Sequence, residues 1–337
     1  MRENLAFSPE IRGDRRAYHE HMSEVRPHKT MSKATRYVNI VAVAVPFIGV
    51  LAAIAMLWNS AVTWFDITML VGLYLVSAFG VTVGYHRMLT HGAVQAPKWV
   101  RYAFVVAGST AVEGPALIWA ADHRKHHAHT DQEGDPHSPH VGGGEGLKGL
   151  WHAHVGWLWS TEIERGWPRK HTPDLLRDKG LVRISNWFPW IALISLVIPF
   201  LAGWAFYGTL MGGLQTFVWA GLVRVFFIHH VTWSVNSICH FSGYRRFDVD
   251  DHSRNNPVLA ILTLGESWHH NHHAFPRSAS HGMRWYEVDL SALLIRGCVA
   301  VGLMSKPVYI SREQQAKKMP GATPAAAPQG APLSDAA

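Results

Sequence analysis

The sequence predicts an all-α integral membrane protein, with four transmembrane helices in two hairpins and a histidine-rich helical cap on the cytosolic side. Three observations predict this fold. The 337 residues are 48% hydrophobic and only 16% charged, which is apolar for a soluble protein. Four long apolar runs occur in two pairs. The short connection within each pair contains no Lys or Arg.

Each apolar run is long enough to cross a hydrocarbon core about 30 Å thick, since a helix rises about 1.5 Å per residue. We therefore predict transmembrane helices over about 38–58, 67–84, 188–207 and 210–228. The first two helices form one hairpin and the last two form the other.

The Lys and Arg residues predict how the helices are oriented. Eight precede the first helix, twelve lie between the second and third, and eleven follow the third. Under the positive-inside rule, both termini and the long central loop are cytosolic. The membrane therefore accounts for the net charge of +7, and we expect no nucleic acid partner.

The remaining segments complete the domain organisation. We predict a cytosolic N-terminal arm (1–37), a membrane domain (38–310) and a disordered Pro- and Ala-rich tail (318–337). Two more apolar stretches, 102–121 and 290–304, contain Glu113 and Arg296. If either crossed the membrane, the histidines on its two sides would be separated, so we expect both stretches at the interface.

Two identical histidine patterns stand out in the cytosolic segments. His123, His126 and His127 have the spacing i, i+3, i+4, and His269, His272 and His273 repeat it. On a helix these positions share one face, so the three rings can converge on a point. Imidazole is the commonest protein ligand of iron, copper and zinc. The two patterns therefore predict a metal site.

The ends of the second and fourth apolar runs add further ligand candidates: His86, His91, His240 and Asn236, the last through water. Five residues of α-helix separate two side chains by about 140°. Either the helix therefore ends near His86 and His91, or these residues bind different ions. The nine histidines exceed the coordination positions of one ion, so we predict two metals. Other histidines, His137 and His281 among them, lie in polar sequence and are expected at the surface.

The ligands alone decide only partly which metal is bound. Zinc competes well for imidazole and can replace iron in a purified sample, but it has no redox chemistry. Nine histidines at the mouth of a membrane bundle favour iron, with O2 activated against a lipid-borne substrate.

The combined motifs resemble the membrane fatty acid desaturase family, in particular its delta-9, stearoyl-CoA desaturase-like branch. The resemblance runs from about residue 40 to 290. The motifs that carry it are His-x4-His at His86, His-x2-His-His at His123, Asn-x3-His at Asn236, Gly-Glu-x-Trp-His-x2-His-His at Gly265, Gly84-Tyr85-His86-Arg87, Asp135-Pro136-His137 and Thr232-Trp233-x-Val235-Asn236.

The resemblance implies a di-iron centre held by the nine histidines, with Asn236 acting through water. It also implies that a cis double bond is inserted into a saturated acyl chain, with O2 and two electrons as co-substrates. Trp119, Trp157, Thr232 and Trp233 are then expected to line the acyl tunnel.

Two features concern the partners. The stretch Glu113–Asp122 is closer to bacterial acyl-lipid relatives than to animal acyl-CoA enzymes, so CoA, lipid and acyl-carrier protein all remain open as the acyl carrier. The sequence contains no His-Pro-Gly-Gly heme motif. We therefore expect a separate ferredoxin, cytochrome or flavin reductase as the electron donor.

Two alternatives remain. A di-iron membrane lipid or alkane hydroxylase also uses histidine boxes, and its product would be hydroxylated rather than unsaturated. A non-enzymatic heme or metal-transport protein would place paired histidines or many polar residues within the bilayer. Here the histidines cluster beyond the helix ends, and polar residues are nearly absent from the spans.

Overall fold

The protein was analysed as a computed structural model that describes residues 32–58, 62–141, 146–160 and 167–322. Within these ranges the regular secondary structure is helical, and β-structure is limited to three isolated bridges. The predicted N-terminal arm lies outside the described residues up to residue 31, and so does the predicted tail from residue 323.

The α-helices, in chain order, are α1 (Lys33–Trp58), α2 (Trp64–Phe79), α3 (Lys98–Ser109), α4 (Ala116–His129), α5 (Gly146–Trp151), α6 (Trp157–Ser160), α7 (Trp167–His171), α8 (Lys179–Asn186), α9 (Phe188–Tyr207), α10 (Leu210–Thr216), α11 (Arg224–Ser237), α12 (His269–Ala274), α13 (Leu290–Ala300) and α14 (Arg312–Ala316). Three π-helical segments, Gly80–Thr90, His152–Gly156 and Phe217–Val223, continue α2, link α5 to α6 and link α10 to α11. Short 3₁₀ turns cover Leu175–Arg177 and Ile238–His240.

Four continuous helices are long and apolar enough to cross a bilayer: Lys33–Leu57, Trp64–Thr90, Phe188–Tyr207 and Leu210–His240. Their lengths are 25, 27, 20 and 31 residues, and the second and fourth extend well past the apolar runs seen in the sequence. The protein is therefore an integral membrane protein. The extensions matter because they carry histidines beyond the apolar region.

Local sequence explains where the spanning helices begin and end. Thr63 and Asp66 form a capping box at the start of α2. Gly208 ends α9 in the left-handed conformation at φ 69°, and the Thr209 side chain caps α10. The turn between α9 and α10 therefore has its own stop and start signals.

Buried polar contacts join the spanning helices at the ends remote from the histidines. Asp66 is fully buried and accepts hydrogen bonds from the Tyr207 hydroxyl at 2.8 Å, Gln215 Nε2 at 2.6 Å and the Thr216 hydroxyl at 2.7 Å. The first turn of α2 is thereby attached to α9 and α10.

A second buried polar contact corrects the charge pattern read from the sequence. Arg224 lies within the fourth span and is fully buried, so it does not belong to the surface charge on one side of the membrane. Its guanidinium donates to the Ser77 hydroxyl at 2.7 Å, the Thr110 carbonyl at 2.6 Å and the Ala220 carbonyl at 2.9 Å. These acceptors replace the water that a charge in a bilayer lacks.

The two additional apolar stretches form short helices. The stretch 102–121 is split between α3 and α4 by a loop in which Val112 and Gly114 have φ of 62° and 108°. Helix α13 has 11 residues. At about 1.5 Å per residue, neither α3 nor α13 reaches across a core about 30 Å thick.

Candidate dimetal site

Nine histidines form two adjacent groups. The five-histidine group consists of His86, His91, His123, His127 and His272, and the four-histidine group consists of His126, His240, His269 and His273. Within each group, one ring nitrogen of every member lies within 4.8 Å of the others. These are the nine residues that the sequence predicts as metal ligands, so folding brings all nine together.

Helices α4 and α12 each contribute to both groups. On α4, His123 and His127 belong to the five-histidine group while His126 joins the other. On α12, His269 and His273 belong to the four-histidine group while His272 joins the other. The expectation that each triplet converges on one point is therefore wrong: residues i and i+4 share a group, and the third ring projects to the neighbouring group.

A π-helical turn explains how His86 and His91 share one group. The segment Gly80–Thr90 is π-helical, and the His91 amide donates to the His86 carbonyl at 3.2 Å. In this i→i+5 pattern, residues five apart lie above one another. The two ring centroids are 4.8 Å apart. The α-helical separation of about 140° therefore does not apply.

The spacing of the ring nitrogens fits bound metal ions. In the five-histidine group, the Nε2 atoms of His272 and His127 are 2.9 Å apart, and those of His272 and His86 are 3.1 Å apart. In the four-histidine group, the Nε2 atoms of His269 lie 3.0 Å from those of both His240 and His273. Two ligands at right angles, each about 2.1 Å from an ion, would be about 3.0 Å apart.

These contacts cannot all be hydrogen bonds between rings. A neutral imidazole carries one proton, so one Nε2 atom cannot satisfy two neighbours that also present lone pairs. The Nε2 atom of His91 is buried without any hydrogen-bond partner. Convergent lone pairs that lack protons are the donor set a metal cation requires.

Burial keeps most of these rings neutral. It holds the pKa values of His91, His123, His127, His269, His272 and His273 well below the usual range, and the neighbouring histidines lower them further. His126 differs: burial lowers its pKa, but the carboxylates of Asp135, Asp131 and Asp251 together act in the opposite direction, and the net shift is upward. Neutral imidazole is the form that binds a metal.

Carboxylates behind the rings were not identified from the sequence. Asp131, Asp135 and Asp251 contact the Nδ1 atoms of His240, His126 and His273, and Glu266 contacts Nδ1 of His86. Asp135 and Glu266 lie inside two of the motifs given above, and this position is the sequence signal that could have identified them. Asp131 and Asp251 lie in loops, where no spacing rule predicts their partners.

Two histidines expected at the surface are buried beside the groups. His281 is fully buried, and its Nδ1 atom lies 3.4 Å from Glu266, which also contacts His86. His137 is 3% exposed and lies 3.7 Å from Asp135. The surface prediction is therefore wrong for both, because the loops that carry them fold back over the site.

A largely apolar cavity of about 470 Å³ lies against the histidines. Its lining includes His86, His123 and His269 together with all five other predicted site residues: Trp119, Trp157, Thr232, Trp233 and Asn236. The Trp119 ring stacks on His123 with a centroid distance of 5.1 Å and an interplanar angle of 23°. An apolar chain in this cavity would lie directly against the ring groups.

Glu113 is an acidic residue in the cavity lining. Its Oε2 atom accepts from Trp119 Nε1 at 3.1 Å, and its Oε1 atom is buried without a partner. Burial raises the pKa of Glu113 to about 7, although the neighbouring Thr232 and Trp119 side chains act in the opposite direction. In the sequence, Glu113 counted as a charge against a membrane span and as part of the Glu113–Asp122 stretch, but it was not predicted as a site residue.

Together, the spanning helices, the two histidine groups and the apolar cavity define a class: a membrane protein with a candidate dimetal site against a space for an apolar chain. Comparison with known proteins specifies the family. The family model for fatty acid desaturase matches residues 62–300. The chain therefore belongs to the fatty acid desaturase family and is an oxidoreductase that desaturates fatty acyl chains.

Individual relatives are similar over most of their lengths. The chain is 40% identical to a hex-5-enoyl-[acyl-carrier protein] acetylenase of Moorena producens, over 77% of this chain and 82% of that protein. It is 34% identical to an sn-1 stearoyl-lipid 9-desaturase of Anabaena variabilis, over 72% and 83% respectively. It is also 34% identical to an sn-2 palmitoyl-lipid 9-desaturase of Nostoc sp., over 84% and 94%.

Proposed function

We propose that this protein is an O2-dependent desaturase that introduces a cis double bond at the delta-9 position of a saturated acyl chain. The observation that carries the proposal is the cavity, because its apolar lining runs directly against both histidine groups. The 9-desaturase relatives support the position of the double bond.

The nine histidines would hold two iron ions, one in each group. When bound, iron supplies the one-electron and O2 chemistry needed at an unactivated methylene. The overall reaction takes up O2, two electrons and two protons, removes one hydrogen from each of two adjacent carbons, and releases two water molecules. Zinc would fit the same imidazoles but could not perform this redox chemistry.

The side chains of the cavity have positioning roles in this proposal. Neighbouring methylenes are chemically alike, so the position of the double bond depends on which carbons are held against the site. Trp119 and Trp157, together with Thr232 and Trp233, form the wall that would hold the chain. Asn236 lies in the same wall, one helical turn before His240, and would contact a metal through water.

We further propose that the site and both termini are cytosolic and that the spans form two hairpins under a cytosolic cap. The Lys and Arg distribution supports this orientation. Contacts support the hairpins. The Tyr207 hydroxyl, at the end of α9, contacts Asp66, at the start of α2, so the connections within the two hairpins lie near each other. His86 and His240 lie near the opposite ends of the second and fourth spans. The division into an arm (1–37), a desaturase domain (38–310) and a tail (318–337) belongs to the same proposal.

The proposed partners are a fatty acyl substrate and an electron donor. The carrier is a lipid, CoA or acyl-carrier protein, and the relatives act on lipid-linked and carrier-protein-linked chains. The electrons would come from a ferredoxin, a cytochrome or a flavin reductase.

The test is expression in cells that lack their own desaturase, followed by gas chromatography with localisation of the double bond. We expect delta-9 monounsaturated chains from the wild type and none from His127→Ala or His273→Ala. His129→Ala is the matched control, because His129 is exposed on α4 and belongs to neither group. Monounsaturated chains at wild-type levels in the two ligand variants would contradict the proposal.

A further inference from the structure

We propose that Asp131, Asp135 and Asp251 make the four-histidine group the tighter of the two metal sites, so that the five-histidine group loses its ion first. This inference rests on the proposed function, because it assumes that each group holds a metal ion. The three aspartates act as positioning residues behind the ligands.

Three of the four rings in the four-histidine group have an aspartate on Nδ1. The Nδ1 atom of His240 lies 2.9 Å from Asp131, that of His126 lies 3.0 Å from Asp135, and that of His273 lies 3.0 Å from Asp251. A carboxylate that accepts the Nδ1 proton leaves the Nε2 lone pair free towards the group. It also fixes the ring orientation and makes the ring a stronger ligand.

The aspartates are themselves held in place. Asp131 accepts from the Ser138 hydroxyl at 2.6 Å and from the His252 amide at 2.8 Å. Asp251 accepts from the Ser253 amide at 2.9 Å. For Asp135, the amides of Asp131 and His137 donate at 2.9 Å and 3.1 Å. The carboxylates are therefore oriented by the fold before any ion binds.

The five-histidine group has a different surrounding. Among the described residues, its only carboxylate contact to a ring is Glu266 on His86. The charge of Glu266 is only partly compensated by Arg87, whose Nη2 atom lies 2.9 Å away and which also pairs with Asp289 at 3.0 Å. By contrast, Asp131 and Asp135 form no ion pair with Lys or Arg in the described chain, and Asp251 has Arg245 at 3.5 Å.

The nearby carboxylates and the number of imidazole ligands predict opposite orders of metal affinity for the two groups. Five imidazoles would hold an ion more tightly than four if ligand number decided. Three carboxylates favour a cation at the four-histidine group, whereas a single, partly compensated carboxylate contributes less at the other. Loss of an outer carboxylate generally lowers metal affinity about 10- to 100-fold.

The experiment is metal counting during graded chelation. The purified full-length chain is loaded with ferrous iron under nitrogen, equilibrated with increasing chelator and analysed for iron per chain by mass spectrometry. We expect two phases of one ion each in the wild type. Asp131→Asn and Asp251→Asn should move the later phase to about 10- to 100-fold lower chelator and leave the earlier phase in place.

Three further variants complete the experiment. Glu266→Gln should move only the earlier phase, and Asp250→Asn, an exposed neighbour of Asp251, should move neither. Asp251→Glu keeps a carboxylate at this position and should release its later ion at higher chelator than Asp251→Asn does; if Asp251→Asn fails to fold, Asp131→Asn carries the comparison. A single phase in the wild type, or aspartate variants that move the earlier phase, would overturn the inference.

Metal counting also separates this inference from the proposed function. A chain that releases iron in the two expected phases but makes no alkene would contradict only the proposed function. A chain that makes the alkene but releases both ions together would contradict only the inference.

Discussion

The amide of His91 donates to the carbonyl of His86 across five residues, at 3.2 Å, and this π-helical bond places both rings in the five-histidine group. Inserting one alanine between Met88 and Leu89 should rotate His91 out of the group. The insertion should then behave like His91→Ala, with iron per chain falling from two towards one and desaturation falling at least about 100-fold.

Iron counting and the conversion of a saturated chain measure this effect. His129→Ala controls for loss of an exposed imidazole from the same region. If the insertion variant kept two iron ions and full activity, the π-helical register would not matter for the site.

Sequence periodicity predicted the histidines on α4 and α12 because each set lies within one regular helix. It left His86 and His91 open because nothing in the sequence showed that α2 continues as a π-helix over Gly80–Thr90. His137 and His281 were misassigned because their burial depends on loops folding back over the site. Arg224 was missed as a buried charge because its partners are Ser77 and loop or helix carbonyls, which carry no sequence pattern.

The buried ion pairs of Arg87 provide a stability prediction. Arg87 is fully buried, and its guanidinium contacts Glu266 at 2.9 Å and Asp289 at 3.0 Å. Arg87→Met would leave both buried carboxylates without their cation. Removing one partner of a buried ion pair costs about 3–5 kcal/mol. We expect a clearly lower thermal unfolding temperature in detergent.

The matched control is Arg101→Met, because Arg101 is partly exposed and lies 3.4 Å from Asp178. Such a pair contributes about 0–1 kcal/mol. Equal losses in the two variants would show that the Arg87 network does not stabilise the fold.

Glu113 provides a prediction about pH. Burial raises the pKa of its carboxyl group from its usual value near 4.5 to about 7. The folded state therefore keeps the proton at pH values where the unfolded chain has lost it, and this stabilisation is lost as the pH rises through about 7. The unfolding temperature of the wild type, measured relative to Glu113→Gln, should fall between pH 5 and pH 8.

Thermal unfolding of both proteins across this pH range checks the prediction. Glu133→Gln controls for loss of an exposed carboxylate and should follow the wild type. Parallel curves for wild type and Glu113→Gln would mean that Glu113 does not titrate in this range.

We expect this chain to desaturate an acyl chain and not to hydroxylate it. The measurement uses cells that lack their own desaturase and express this chain. The cells are supplied with a uniformly deuterated saturated fatty acid, and their lipids are analysed by mass spectrometry. We predict a labelled monoene that has lost two deuterium atoms from adjacent carbons and that forms only when O2 is supplied. A labelled hydroxy-acyl product without the alkene would contradict it.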